Sequence, residues 1–385
     1  MIFSIILYFV LKQYFLNYYY LGAFEMRAHN FNPGPAILPW SVVQETRDAV
    51  ENFNNSGMSI LEISHRAKDF DAICLEAEKD MLEIMNLNPD EYAVLFVGGG
   101  ASTQFAMVPM NFLKNKADYV NTGAWSQKAI KEAKMIGQVN VVASTEDSNF
   151  NHLPKNIQYS GDADYVHYTT NNTIFGTEWS EIPEVGNVPL IADMSSDMLS
   201  RPTDYSKFSM IYAGAQKNMG PAGVVVIVIK KAWAEAAVKT SYIPTMMKYK
   251  THIENKSMYN TPPVLPIYVV SRVLKWIKSV GGLEEIQKIN IKKAGLIYNA
   301  IDSHPDFYKG AVIAKEDRSL MNITWNLPTP ELEDKFVAEA KKKNMIGLKG
   351  HRSVGGVRAS TYNACPLESC EALAQFMEEF YQANK

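Results

Sequence analysis

The 385-residue chain has few cysteines, no marked excess of charge of either sign and no long uninterrupted apolar run. Its three cysteines, Cys74, Cys365 and Cys370, have neither the even number nor the spacing of a disulfide framework or a zinc site, so no metal is expected. Charged residues make up 21% and the formal net charge is -3, which argues against a polyanionic partner such as nucleic acid. These absences favour a protein of the reducing cytoplasmic compartment.

Residues 1–24 are rich in Ile, Leu, Phe and Tyr, but polar residues interrupt them at Lys12, Gln13 and Asn17. A membrane span needs roughly 18 uninterrupted apolar residues, and a secretory signal needs a basic start and a small-residue cleavage site. We therefore interpret residues 1–25 as an apolar upstream extension, with Met26 as the functional start and no membrane association. An interfacial anchor is the alternative.

The chain length suits one large and one smaller domain. Between residues 92 and 230, short β-type runs alternate with helical patterns, which predicts an α/β fold with a mostly parallel sheet covered by helices. Seven strands are predicted, at residues 92–97, 117–121, 139–143, 164–167, 188–192, 209–213 and 224–229. Before them, Ser41-Val-Val-Gln44 predicts a capping box that opens a helix, and residues 69–85 have helical apolar spacing.

The C-terminal part is predicted to be a smaller α+β unit. Residues 260–266 form a proline-stiffened connector before two helices predicted at 267–280 and 283–302. Strands at 321–325 and 357–361 and helices from Thr329 and Pro366 follow. We therefore divide the chain into an N-terminal segment at 26–40, a large domain at 41–282 and a small domain at 283–385.

Lys217 lies in a loop of small residues between two apolar β-type runs. A lysine that serves solubility normally lies on a charged helix face, whereas this one is placed at the end of a sheet, where desolvation lowers the pKa of an amine. An amine of lowered pKa can form Schiff bases. On this segment alone, a loop lysine in a glycine-rich turn is an equally good interpretation.

Asp193 ends the apolar strand that precedes the Lys217 strand, so both side chains are predicted at the carboxyl edge of the sheet, where open α/β folds bind ligands. An acid and a lysine at neighbouring strand ends are what a pyridoxal phosphate site requires, since the lysine binds the cofactor and the acid keeps its ring nitrogen protonated. Taken alone, Asp193 is better interpreted as a helix N-cap or turn residue, and its value comes from the pairing with Lys217.

A triple glycine, Gly98-Gly-Gly100, follows the first strand and precedes an apolar helical run. Such a turn presents free backbone N–H groups to an anion, with the hydroxyls of Ser102 and Thr103 as additional donors. It lacks the spacing of a dinucleotide-binding loop and the lysine of a P-loop, so a single phosphate fits best. Trp125 follows the next strand and could stack on a flat cofactor ring or fill the core.

Two histidine–arginine pairs, His65-Arg66 and His351-Arg352, and Arg358 supply cations in glycine-containing or loop-like sequence. Arginine forks match carboxylates and phosphates in a bidentate manner, so these residues would suit a small substrate with two or more negative charges. Surface ion pairs are the alternative for any one of them. The glycines around Arg352 and Arg358 favour a binding loop.

From about residue 30 to the C-terminus, the chain resembles the phosphoserine aminotransferase family of class-V pyridoxal phosphate enzymes. The segments that carry the resemblance are Asn32-Pro-Gly-Pro35, Ser64-His-Arg66, Ala213-Gly-Ala-Gln-Lys-Asn218, Gly220-Pro-Ala-Gly223, Asn260-Thr-Pro-Pro263, Lys349-Gly-His-Arg352 and Arg358-Ala-Ser360. The resemblance implies an aspartate aminotransferase-like fold and a homodimer with two active sites at the subunit interface. It also implies a role in serine biosynthesis.

By motif, the resemblance implies a role for each candidate residue. Lys217 would be the catalytic lysine that binds the cofactor, Asp193 the partner of its ring nitrogen and Trp125 the stacking ring. Cofactor contacts are also implied for Ala101, Ser102, Thr173, Gln216 and, from the other subunit, Asn260 and Thr261. Substrate contacts are implied for His65, Arg66, His351, Arg352 and Arg358. Family members differ just after the triple glycine, and Ala101-Ser102 matches the variant without an arginine there.

The implied reaction is a ping-pong transamination of 3-phosphohydroxypyruvate with L-glutamate, with the analogous step of pyridoxine biosynthesis as a possible second activity. Two alternatives stand beside it. One is another pyridoxal phosphate enzyme of the same fold, such as a cysteine desulfurase, although no cysteine is placed as a loop nucleophile, or an alanine-glyoxylate type aminotransferase. The other is a non-catalytic protein that binds anions through the glycine turn and the arginines.

Overall fold

The computed structural model describes residues 27–237 and 242–385, so the extension predicted at 1–25 and the start predicted at Met26 lie outside the described residues. The α-helices are α1 Trp40–Asn52, α2 Lys68–Ile84, α3 Gly100–Phe112, α4 Ala124–Ile136, α5 Lys231–Glu235, α6 Tyr249–Glu254, α7 Val264–Ser279, α8 Gly282–Ser303, α9 Pro330–Lys342 and α10 Leu367–Asn384. The strands are β1 His29–Asn30, β2 Tyr92–Val97, β3 Lys116–Asn121, β4 Gln138–Ser144, β5 Val166–Thr169, β6 Leu190–Asp193, β7 Met210–Gly214, β8 Val225–Lys230, β9 Lys309–Gly310, β10 Asn322–Asn326, β11 Met345–Ile346 and β12 Val357–Ser360. Short 3₁₀ turns occur at Phe53–Asn55, Glu146–Ser148, Tyr205–Lys207, Thr245–Met247 and Lys315–Asp317.

Strands β2 to β8 form one seven-stranded sheet in the order β2-β8-β7-β6-β5-β3-β4. All of them run in the same direction except β8, which pairs antiparallel with both neighbours. The mostly parallel seven-stranded sheet is therefore confirmed, and each predicted strand end lies within about two residues of the observed one. The carboxyl ends of the six co-directional strands meet at one edge of the sheet.

Both faces of the sheet are buried, which explains its nearly continuous apolar strands. On β2, Val94 and Phe96 belong to a core that includes residues of α2 and α7, whereas Ala93 and Leu95 belong to a second core that includes residues of α3 and α4. Side chains alternate between the two faces along a strand, so consecutive residues of β2 pack into opposite helical layers.

A second unit is built on the antiparallel sheet β12-β10-β9. Its core contains Trp325 of β10, Phe336 of α9 and Phe376 of α10. Phe31 also belongs to this core, and β1 pairs parallel with β11, so the segment at residues 29–31 packs against the C-terminal unit. The predicted helices after Thr329 and Pro366 are confirmed, with the Thr329 side chain accepting a hydrogen bond from the Leu332 backbone N–H at 3.3 Å.

Helix α8 joins the two units. Its first turns contribute Leu283 and Ile286 to a core of the large sheet, and its later turns contribute Ala294 and Ile297 to the core of the smaller unit. The domain boundaries at 26–40, 41–282 and 283–385 stay a prediction, because this helix belongs to both packing units.

Lys293, on the same helix, is fully buried. Its Nζ donates to the backbone carbonyls of Thr361 at 3.0 Å, Tyr362 at 2.7 Å and Asn363 at 3.4 Å. Burial lowers the pKa of this amine, and the neighbouring thiols Cys365 and Cys370 oppose the shift. The lysine thus ties helix α8 to the chain segment after β12.

Two local predictions were wrong. The capping box at Ser41-Val-Val-Gln44 does not form, because α1 begins one residue earlier, at Trp40, and Pro39 occupies the N-cap position without a side-chain cap. The extended connector at 260–266 is shorter than predicted, because α7 begins at Val264. Pro266 therefore lies in the first turn of this helix, where a missing backbone N–H costs nothing.

Candidate active site

Lys217 lies in a ten-residue loop that connects β7 with its antiparallel neighbour β8. The loop is closed where Gly214 pairs with Val225, and the backbone N–H of Ala215 donates to the carbonyl of Val224 at 3.0 Å. Lys217 is 8% exposed, and its Nζ donates to the Thr173 hydroxyl at 2.6 Å. Burial lowers the pKa of this amine to about 8, whereas the negative charge of Asp193 opposes the shift.

Asp193 is the last residue of β6 and is 3% exposed. The backbone N–H of Ser195 donates to its Oδ1 at 3.0 Å. Burial raises the pKa of this carboxyl, while Ser195 and then Lys217 oppose the shift. Burying a charged carboxylate costs free energy unless the carboxylate is paired. Asp193 therefore favours a positively charged or N–H-bearing group nearby.

Both side chains line one cavity of about 340 Å³ at the carboxyl edge of the sheet. The cavity is also lined by predicted site residues from five other segments, namely Ala101, Ser102, Trp125, Thr173, Gln216, His351 and Arg358. The carboxyl ends of neighbouring parallel strands meet here, which is why residues distant in sequence converge at this place. The structure thus brings together nine of the predicted site residues in one chain.

The glycine turn forms one wall of the cavity. Gly99 is the N-cap of α3 with a φ of 94°, a left-handed conformation that favours glycine, and no side chain caps this helix. Gly100, Ala101 and Ser102 line the cavity, so the uncapped helix N-terminus faces it. Thr103, expected as a further donor, instead donates to the carbonyl of Gly99 at 2.8 Å and lines a different cavity.

Trp125 lies in the first turn of α4, with its ring centre 6.0 Å from the Lys217 Nζ. Its indole Nε1 is buried and has no hydrogen-bond partner in the described chain. The same is true of Thr169 Oγ1, which lines the cavity at the end of β5. Buried polar atoms are usually hydrogen-bonded, so both atoms are available to a polar ligand in this cavity.

Arg358, on β12, reaches the cavity from the smaller unit. It is 5% exposed, its Nη1 donates to the carbonyl of Thr173 at 3.1 Å and its Nε has no partner in the described chain. Burial lowers the pKa of this guanidinium. His351 lies beside it, and burial together with the charges of Arg358, Arg352 and Lys128 lowers the pKa of its imidazole. The positive charge at this end of the cavity lining therefore comes from Arg358.

Five predicted residues do not line the cavity in this chain. Arg66 and Arg352 are exposed, and His65 is half-buried in the turn between α1 and α2. Asn260 and Thr261 are also exposed and line a separate cavity of about 450 Å³ behind the glycine turn. A single chain therefore assembles the lysine side of the site and leaves these five groups facing outward.

Several residues that line the cavity were not predicted from the sequence as site residues. They are Pro33, Gly34, Phe105, Thr169, Asn171, Ile174, Ser195 and Ser196. Thr169 ends a strand at the same edge as Asp193, so its position along the predicted sheet was a usable signal. Gly34 has a φ of 131°, and a Cβ there would lie 3.3 Å from the Lys217 Cγ. That close approach depends on tertiary packing, and only the Asn32-Pro-Gly-Pro35 motif pointed to it.

The cysteines at 74, 365 and 370 are free, buried and absent from the cavity lining, so none is placed as a desulfurase nucleophile. Within the described ranges, no group of three or more acidic, histidine or cysteine side chains could hold a metal ion. Across the same ranges, no helix combines the length and apolar character required to cross a bilayer.

Comparison with known proteins places the chain among aminotransferases in sequence and in fold. Residues 28–373 match the family described as aminotransferase class-V. The chain is 50% identical over 363 residues to the phosphoserine aminotransferase of Halalkalibacterium halodurans, an alignment that covers 93% of this chain and 99% of that protein.

Two solved structures are also similar. The phosphoserine aminotransferase from Bacillus circulans subsp. alkalophilus superposes with a TM-score of 0.90 at 51% identity, covering 93% of this chain and 99% of that one. The pyridoxal phosphate-bound phosphoserine aminotransferase from Trichomonas vaginalis superposes with a TM-score of 0.87 at 39% identity, covering 91% of this chain and 100% of that one.

Proposed function

Because the chain belongs to the phosphoserine aminotransferases, a family of class-V aminotransferases, we propose that it transfers the amino group of L-glutamate to 3-phosphohydroxypyruvate. The products are 2-oxoglutarate and O-phospho-L-serine, the precursor of L-serine. One observation carries the proposal: the Lys217 amine, with a pKa lowered to about 8, shares a cavity with the buried carboxylate of Asp193, the guanidinium of Arg358 and the imidazole of His351.

The residues of the cavity fit pyridoxal phosphate. The uncapped N-terminus of α3, with Ser102 and Gln216, would hold its phosphate, because free backbone N–H groups there bind anions. Asp193 would pair with the ring N–H, and Trp125 would stack on the ring. The unpartnered Thr169 Oγ1 and Trp125 Nε1 are polar atoms that such a group could satisfy. When bound, the cofactor supplies an electron sink for negative charge at the substrate α-carbon.

Lys217 carries the proton chemistry. A neutral amine accepts the proton of the substrate α-carbon, and a lowered pKa increases the neutral fraction near physiological pH. The Thr173 hydroxyl, 2.6 Å from Nζ, orients the amine within the cavity. Burial excludes bulk water from this proton transfer, because Lys217, Thr173 and Asp193 are all less than about a tenth exposed.

Arg358 is the group that would bind the substrate α-carboxylate. It is held by the Thr173 carbonyl, and its Nε remains available for a second hydrogen bond. His351 at the same end, with Arg352 beside it in sequence, would bind the distal phosphate or γ-carboxylate. One cationic end can serve both substrates because arginine forks match carboxylate and phosphate alike.

The outward-facing groups are explained by a homodimer with shared active sites. Asn260 and Thr261 of one copy would reach the cofactor phosphate of the other, and His65 and Arg66 would add cations for the distal anion. Apolar side chains near these groups are exposed in the single chain, with Leu61 at 61% and Met58 at 48%. Three free cysteines agree with a reducing cytoplasmic location.

The two half-reactions can be tested separately. Protein loaded with pyridoxal phosphate is mixed with L-glutamate alone, and one equivalent of 2-oxoglutarate per site should be released. After glutamate is removed, 3-phosphohydroxypyruvate should yield one equivalent of phosphoserine. No 2-oxoglutarate would defeat the transaminase assignment, whereas release without phosphoserine would defeat the acceptor assignment. A non-catalytic anion-binding protein would fail at the first step.

A further inference from the structure

The cationic end of the cavity depends on a short hairpin, residues 350–356, that carries His351 and Arg352. Its base is closed where the Gly350 N–H donates to the Gly356 carbonyl at 2.9 Å. Its tip is tightened by two backbone N–H groups, from Val354 and Gly355, which donate to the His351 carbonyl at 2.9 Å. The hairpin is otherwise a surface segment, since Arg352, Ser353 and Gly355 are exposed.

Glu333, in the first turn of α9, holds this hairpin from outside the cavity. Its Oε2 accepts the backbone N–H of Gly356 at 2.9 Å. Its Oε1 accepts from the Asn326 side chain at 2.9 Å and from the Leu327 backbone N–H at 3.3 Å. A single half-buried carboxylate therefore joins helix α9, the end of β10 and the return arm of the hairpin.

The fit at this junction is close. A Cβ on Gly356 would lie 2.8 Å from the Trp325 carbonyl oxygen and 2.8 Å from the Asn326 Nδ2. The return arm thus passes against β10 with little room, and the Gly356 N–H points at Glu333. The adjacent pair of Asp334 and Lys349, also at the hairpin base, has side chains 74% and 75% exposed, and exposed ion pairs contribute little.

We infer that Glu333 is a positioning residue that fixes the His351–Arg352 hairpin for recognition of the distal anion of both substrates. The inference rests on the proposed function. A carboxylate is needed because three N–H groups converge on its two oxygens, so all of its contacts are as an acceptor. A glutamine in its place has a single acceptor oxygen, so it cannot accept from the Gly356 N–H and from the Asn326 and Leu327 N–H groups at the same time.

The experiment compares Glu333→Gln with the matched control Glu331→Gln in the pyridoxal phosphate-loaded enzyme. Both residues lie in the first turn of α9, but Glu331 is exposed and makes no contact with the hairpin among the interactions described. Amide hydrogen exchange is measured on the peptide covering 349–357. In Glu333→Gln this peptide should exchange about tenfold faster, the effect of losing one charge-assisted hydrogen bond, and in Glu331→Gln it should not change.

The kinetic arm separates positioning from general damage. L-glutamate has a distal carboxylate and L-alanine has none, so Glu333→Gln should raise the KM for L-glutamate and for 3-phosphohydroxypyruvate about tenfold with kcat nearly unchanged. The slow single-turnover half-reaction with L-alanine should stay as in the wild type. An equal loss with alanine and glutamate, unchanged exchange of 349–357, or the same changes in Glu331→Gln would each overturn the inference.

The two arms also distinguish the inference from the proposed function. If the wild type does not convert 3-phosphohydroxypyruvate, the proposed acceptor is wrong, yet the exchange arm still reports whether Glu333 holds the hairpin. If the wild type is active and the hairpin exchanges at the wild-type rate in Glu333→Gln, only the positioning role fails.

Discussion

Two regions of the molecule bury a lysine, and they use it in different ways. Lys217 is 8% exposed, has a single hydrogen bond to Thr173 among the contacts described and faces a cavity of about 340 Å³. Lys293 is 0% exposed and donates to three backbone carbonyls. Burial lowers the pKa of both amines. Burial therefore does not make a lysine reactive, and what matters is whether its donors are already used.

The largest effect is expected at Lys217. In Lys217→Ala the amine that we propose as the proton carrier is gone, so turnover should fall about 10⁴-fold, the upper range for a positioned acid–base group. The free energy of unfolding should not fall, because desolvation already disfavours the charged amine here. Steady-state turnover and urea unfolding measure the two quantities. Retention of most of the activity would remove Lys217 from its catalytic role.

The opposite outcome is expected at Lys293. Lys293→Met removes the donors of three carbonyls, so the free energy of unfolding should fall by about 3 kcal/mol, while turnover per folded molecule stays near the wild-type value. Lys292→Met is the control, because this neighbouring lysine on the same helix is exposed. Equal unfolding curves for the two variants would show that the three contacts do not stabilise the fold.

The pH dependence of stability tests the lowered pKa of Lys217. In cofactor-free protein, the pKa of Lys217 is about 8 in the folded state against 10.5 for an ordinary lysine. Between these values the unfolded chain binds more protons, so the contribution of Lys217 to the free energy of unfolding rises with pH. The free energy of unfolding of the wild type minus that of Lys217→Met should therefore rise from about pH 8 to about pH 10.5, as the penalty for burying the charged amine disappears. A difference independent of pH over this range would contradict the lowered pKa.

The smallest signal tests whether Arg66 of one subunit serves the Lys217 site of the other. Lys217→Ala and Arg66→Ala, each nearly inactive alone, are mixed, unfolded and refolded together. Random pairing places half of the chains in mixed dimers with one intact site of two, so about a quarter of the wild-type activity should return. The control mixture pairs Lys217→Ala with Arg358→Ala, because both residues line the cavity of one chain.

The control mixture tests whether two altered side chains belong to the same site. In the control mixture, both altered side chains belong to the same chain's cavity, so each site in a mixed dimer carries one defect and activity should not return. Recovery in the control and not in the Arg66 mixture would reverse the proposed arrangement. Absence of recovery in both would show that Arg66 does not serve the partner's site.

Much of this arrangement was predictable from local sequence. Lys217 and Asp193 follow apolar runs that are recognisable as strands, and parallel strands bring their carboxyl ends to one edge. The glycine turn was also predictable, because it directly follows an apolar run that is recognisable as a strand. These features depend on short-range periodicity and on the direction of the strands, and both are encoded within a few residues.

Other features depend on contacts that no local pattern encodes. Lys293 stands next to Lys292 on a helix, and only the packing of the segment after β12 distinguishes the buried lysine from the exposed one. The capping box predicted at Ser41 does not form, because the helix begins one residue earlier, at Trp40, with Pro39 as its N-cap. For His65, Arg66, Asn260 and Thr261 a motif named the role, but in the proposed homodimer their position relative to Lys217 depends on how two chains assemble.

The antiparallel strand β8 has a consequence for the entropy of the active site. Since β8 returns directly beside β7, Lys217 lies on a loop of ten residues whose ends are hydrogen-bonded neighbours. Closing so short a connection costs little chain entropy, and the entropy is lost when the two strands pair rather than when substrate binds. The Lys217 amine is thus ordered by its own hairpin before any ligand arrives, and in the proposed reaction this would spare the binding energy of the substrate for the transition state.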